Sequence, residues 1–185
     1  QKSFAGGFNL DKSDNYQQKL IERGRVQMKT AEILLSKLER SAGVILGDEV
    51  GMGKTWIALL TALPIASERP VLVLTPSKVL SNQWRKQYLN LVESKLKGSA
   101  DKKEKHKNYA KQLNVFEDLT ALVQGAKKAG KGIYVCAISA VDPLKTYKCL
   151  EDAESLFDLV ILDEGHNFKN ENTLKYQIFK ATRND

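Results

Sequence analysis

Cysteine is scarce in this 185-residue chain, long apolar runs are absent, and proline occurs only four times. The two cysteines, Cys136 and Cys149, have no metal-ligand spacing, and Cys136 stands in an apolar run. That pattern reads as two idle thiols in a reducing, intracellular compartment: cytoplasm or nucleoid in a prokaryote, nucleus in a eukaryote. No apolar stretch approaches the roughly 18–20 residues that a membrane-spanning helix needs, so no membrane partner is expected. The first residues have neither the hydrophobic core of a secretory signal nor an amphipathic, arginine-rich presequence. No internal repeat is present. What remains is a composition of 42% hydrophobic and 28% charged residues, which is that of a soluble globular protein. The length suits one good core and a single domain.

The net charge of +7 is unevenly spread. Residues 95–111 hold seven lysines against Asp101 and Glu104, a local balance of +5. This segment has few apolar residues and no helical or strand period. It is either a solvated loop or a loop that meets a nucleic-acid backbone through counterion release. Nothing aromatic is interleaved before Tyr109, so a base-stacking platform is not indicated.

Residues 1–14 are polar and read as a flexible lead-in. Between Tyr16 and Arg40 the apolar positions fit helices interrupted near Gly24. Strand-like runs follow at Val44–Leu46, Val71–Thr75, Leu113–Phe116, Ile133–Ile138 and Asp158–Leu162. Helices are expected at Thr55–Ala66, Val79–Val92, Asp118–Ala129 and Thr146–Leu156. Apolar, β-branched strands alternating with helices indicate a parallel sheet covered on both faces, an α/β doubly wound nucleotide-binding domain. Ligands in such sheets sit at the C-terminal strand ends.

Two motifs stand at such ends. Gly51-Met52-Gly53-Lys54-Thr55 follows Gly43–Leu46 and precedes an apolar helical run. Glycines let backbone N–H groups close around a polyphosphate, and the helix adds its positive end. Lys54 is expected on the β- and γ-phosphates of ATP and the Thr55 hydroxyl on Mg²⁺. Asp163-Glu164 follows Leu159–Leu162, more than a hundred residues later. Here Asp163 is expected to bind Mg²⁺, usually through water, while Glu164 orients and deprotonates the attacking water. The loop departs from G-x-x-x-x-G-K-[ST]: Asp48 stands where the first glycine would be, with Gly47 one place early.

These residues carry a resemblance. Asp163-Glu164-Gly165-His166 resembles the Asp-Glu-x-His box of superfamily-two helicases, with glycine where alanine is usual. His166-Asn167-Phe168-Lys169-Asn170 with Thr173 resembles the His-x-x-Lys-Asn-x-x-Ser/Thr run of Swi/Snf-type DNA translocases. Asp48-Glu49-Val50-Gly51-Met52-Gly53-Lys54-Thr55 is similar to that family's phosphate loop, including the aspartate. The resemblance covers about residues 16–183 and implies a RecA-like P-loop lobe over residues 15–185.

The resemblance also assigns weaker candidates. Gln27, 27 positions before Lys54, falls near the family's adenine-reading glutamine. Gln17 is the alternative, and an ordinary surface glutamine is the third reading. Thr75-Pro76-Ser77 and Ser139 fall where the family's motifs Ia and Ib meet the nucleic-acid backbone, although Ser77 fits helix capping equally well. Trp84 matches a family aromatic and reads as packing. His166 either links the nucleotide site to the next motif or caps its own loop.

The family continues with a further motif and a second lobe that supplies arginine fingers, neither of which is found before Asp185. The expectation is therefore one lobe of a DNA-dependent ATPase that tracks along double-stranded DNA, its second motor lobe in the same polypeptide. Alone it should turn ATP over very slowly, since arginine fingers are worth about 10³–10⁵ in rate. The alternatives are the motor of a strand-separating DNA or RNA helicase or of a restriction or defence complex, and a scaffold lobe that binds nucleotide without hydrolysis.

Overall fold

The computed structural model describes residues 15–47, 53–96, 111–138 and 156–168. The lead-in at 1–14, the expected helix at 146–156 (apart from Leu156, in a turn) and most of the lysine-rich segment lie outside them. The chain divides into two units, Gln1–Thr61 and Ala62–Asp185.

The first unit is built on one helix, α1 (Asn15–Leu38). The expected interruption near Gly24 does not occur. A mid-helix glycine costs about 1 kcal/mol relative to alanine, and a helix of 24 residues absorbs that cost. Ala31 is buried, while Leu20, Val26 and Ile33 are exposed. Residues 43–47 form no β-ladder, so the expected strand at Val44–Leu46 is not formed. Ile45 is 96% exposed. β-Branched residues favour a strand only where a neighbouring strand offers hydrogen bonds and a face to pack on. Helix α2 (Lys54–Ala66) then begins in this unit and ends in the next.

The second unit is a parallel sheet of β1 (Pro70–Thr75), β2 (Leu113–Phe116), β3 (Gly132–Ala137) and β4 (Leu159–Leu162), in the order β2-β3-β1-β4. These elements match the expected strands to within a residue or two. Val71 to Leu74 and Ile133 to Ala137 are almost wholly buried, as the two central strands of a sheet covered on both faces must be.

Successive side chains take opposite faces. Leu72, Leu74, Tyr134 and Cys136 meet Leu119, Leu122, Val123 and Ala126 of α4 (Leu119–Ala129). Asp118 caps that helix by accepting the Ala121 N–H at 2.8 Å, and Gly130, at φ 67°, closes it. At Gly125 a Cβ would stand 2.9 Å from the tip of the Phe116 ring, which would have to shift to admit a larger residue. The opposite face, on which Thr75 lies, carries α3 (Lys78–Leu96). Ser81, Trp84, Tyr88, Leu91 and Val92 form its buried stripe, at the spacing of one helix face.

A candidate nucleotide site in two halves

In the first unit the site begins at Gly53, whose φ of +84° is a glycine conformation. Its carbonyl accepts the N–H groups of Trp56 at 2.9 Å and Ile57 at 3.1 Å, which starts α2. Lys54 and Thr55 are half-buried in the first turn of that helix. The peptide dipole at a helix N-terminus favours an anion. The side-chain Nε2 of Gln27, on α1, lies so close against Gly53 that a Cβ would collide with it. Gly53 is thus required both for its φ and for the approach of Gln27. Gln27 is half-buried, its amide against Gly53. Gln17, ten residues earlier, is on the same helix. Asp48, Glu49, Val50, Gly51 and Met52 lie outside the described residues.

In the second unit the site stands at the C-terminal ends of β1 and β4. The Asp163 N–H donates to the Leu74 carbonyl at 2.9 Å, extending the ladder one residue beyond the strand pairing. Asp163 therefore stands beside Thr75, on the face that α3 covers. Its Oδ2 accepts the Trp84 indole N–H at 2.8 Å. Glu164 adopts φ 53°, the left-handed region, before the 3-10 turn Gly165–Phe168. For a residue with a Cβ this costs on the order of 1–3 kcal/mol and is most often found at functional sites. Glu164 Oε2 lies 3.3 Å from His166 Nδ1. Both side chains are at least half exposed, so solvent screens the pair and it adds little stability.

Among the weaker candidates, Thr75 needs correction. Its side chain is fully buried, its hydroxyl donating to the Ser77 carbonyl at 3.1 Å and pairing with Ser81 Oγ at 2.7 Å. It shapes the loop from inside and presents no hydroxyl to a ligand. Ser77 is half-buried, and its Oγ accepts the Leu80 N–H at 3.4 Å as the cap of α3. Ser139 lies outside the described residues. Trp84 is buried at 2% exposure, in keeping with packing. Its bond to Asp163 has no counterpart among the sequence expectations, since the partners are 79 residues apart. The only signal for it is the helical spacing of Ser81, Trp84 and Tyr88, which marks one face of α3.

Among the described residues no three His, Cys, Asp or Glu side chains cluster as a self-sufficient metal cage. Mg²⁺ does not require one. It is bound by one or two protein oxygens, with phosphates and water completing the octahedron. The Asp163 carboxylate and the Thr55 hydroxyl are oxygens of that kind, one in each unit.

Residues 11–184 match the family model described as "Type III restriction enzyme, res subunit". The chain is 32% identical over 152 residues to an uncharacterized ATP-dependent helicase of Schizosaccharomyces pombe, covering 76% of this chain and 14% of the relative. It is 33% identical over 146 residues to the mouse chromodomain-helicase-DNA-binding protein 1-like, covering 73% and 14%. A third relative, from Xenopus tropicalis, is the SWI/SNF-related matrix-associated actin-dependent regulator of chromatin subfamily A containing DEAD/H box 1 (28% identical over 144 residues, covering 75% and 13%). The chain thus spans about one-seventh of the length of these relatives. No solved structure matches. Among the described residues no helix is long and apolar enough to cross a membrane.

Proposed function

The chain belongs to the family of the type III restriction enzyme res subunit, as a helicase-like domain of superfamily two, and from that premise we propose that it is the ATP-binding first lobe of a Swi/Snf-like DNA translocase. The observation that carries this reading is the start of α2: a positive-φ glycine, then Lys54 and Thr55 in the first turn, with Gln27 against the glycine. Lys54 holds the β- and γ-phosphates, Thr55 and Asp163 hold Mg²⁺, and Glu164 takes the proton of the attacking water. The metal, when bound, offsets phosphate charge and fixes the geometry of in-line attack. In this reading Gln27 reads the adenine edge, and Ser77 with the N-terminus of α3 binds a nucleic-acid phosphate. The second lobe belongs to a parent of the relatives' length.

The test begins with binding. A fluorescent ATP analogue should bind this chain, and Lys54→Ala should weaken it. In the two-lobed parent, ATP hydrolysis should rise with duplex DNA and be lost in Glu164→Gln. Robust hydrolysis by a clean Glu164→Gln preparation would overturn the role of that carboxylate. A second reading, the motor of a strand-separating or restriction complex, is favoured by the description of the matched family. Displacement of a labelled strand from a duplex by the parent distinguishes it, since the leading reading predicts none.

A further inference from the structure

The geometry points to Trp84 as the residue that positions the Asp163 carboxylate for its metal, an inference that rests on the nucleotide-site reading above. A carboxylate at a strand end can rotate about two side-chain torsions. Here one oxygen, Oδ2, is bonded by the Trp84 indole at 2.8 Å. That leaves Oδ1 as the oxygen for a magnesium ion or its bound water, and selects one rotamer in which to present it. Indole is suited to the task because its N–H donates only and bears no charge to compete with a cation.

The donor is itself fixed. Trp84 is buried in the stripe by which α3 meets the sheet, and that stripe is tied at two other points. One turn earlier Ser81 pairs with Thr75 at 2.7 Å, at the end of β1. One turn later Tyr88 donates to Gln112 at 3.4 Å, beside β2. The indole cannot swing away without breaking the packing of the helix. Asp163 is anchored from the other side by its N–H bond to Leu74. Both ends of the contact are therefore held by the core. Outer hydrogen bonds of this kind typically change metal affinity by 10–100-fold when removed.

The experiment uses the two tryptophans, Trp56 and Trp84, whose indole N–H signals are separable by NMR and assignable with one substitution. In the 185-residue chain loaded with ATP, adding Mg²⁺ should move the Trp84 indole signal. Asp163→Ala should shift that signal upfield and abolish its response to Mg²⁺. Trp84→Phe keeps the ring in the core and removes the donor. It should bind a fluorescent ATP analogue normally without metal, yet need about tenfold more Mg²⁺ for half of the metal-dependent change. A tryptophan that bonds Asp163 without positioning it would still give the Asp163→Ala shift, but not the raised Mg²⁺ requirement of Trp84→Phe. If the wild-type chain responds to Mg²⁺ while Trp84→Phe responds at the same concentration, the positioning role is overturned and the nucleotide site stands. The positioning role is equally overturned if Asp163→Ala leaves the indole signal in place, and that variant does not depend on how Trp84→Phe folds. If the wild-type chain binds the analogue with no response to Mg²⁺, the site reading falls and the inference with it.

Discussion

The two units hold their functional residues in different ways. In the sheet unit Asp163 is one residue beyond a strand, bonded through its backbone to β1 and through its side chain to α3. The central strands β1 and β3 are almost fully buried, whereas β4 itself is half-buried. In the first unit the segment leading to the phosphate loop has no ladder, and Ile45 is nearly all exposed. Gly53 there relies on the cap of α2 and on one glutamine from α1. The Asp163 carboxylate is thus held by the core through both its backbone and its side chain.

Substitutions can break this comparison, and the largest expected effect is in the sheet. Leu72→Ala, at a fully buried site, should cost about 2–5 kcal/mol in denaturant unfolding. Ile45→Ala should stay within about 0.5 kcal/mol, as surface changes do. A cost at Ile45 approaching that at Leu72 would show that the segment before the phosphate loop is packed after all. Next in size is Lys54→Ala, which should weaken the fluorescent ATP analogue by roughly 10–100-fold, the worth of a hydrogen bond to a charged group. Its unfolding free energy without nucleotide should barely change, so the effect belongs to the ligand.

Gly53→Ala should cost about 1–3 kcal/mol in thermal unfolding, because its φ is positive and its Cβ meets Gln27. Adding Gln27→Ala should recover part of that loss but not the part due to φ. Full recovery would show that the clash alone mattered. The smallest effect has the opposite sign. Glu164→Gly should stabilise the chain by about 1 kcal/mol, since glycine adopts φ 53° without penalty. A stabilised chain whose two-lobed parent no longer hydrolyses ATP would show strain kept for function. A destabilised one would mean that the His166 contact outweighs the strain.

Much of the fold is legible in the sequence because apolar runs and glycine punctuation are local signals. Each strand of the sheet is expected to within a residue or two, most directly β1 and β3, since a strand buried on both faces reads as an apolar run. The same rule fails at Val44–Leu46, where the run is present and the ladder is not. It fails differently at Gly24, because helix-breaking is a modest cost that a long helix tolerates. Thr75 reads outward from its motif, whereas its position on the α3 face of β1 turns the hydroxyl inward to Ser81.

By itself the sequence nominated Lys54, Thr55, Asp163 and Glu164 for phosphate and metal chemistry, each next to a run that forms or favours an element end. It also determined the parallel α/β class, through the alternation of apolar runs and helices. Only the tertiary structure decided that Gln27 meets Gly53, that Thr75 is spent inside the core, and that Trp84 is bonded to Asp163. These are contacts between side chains brought together by sheet order and helix face. No spacing along a chain encodes them, because they depend on where distant elements pack.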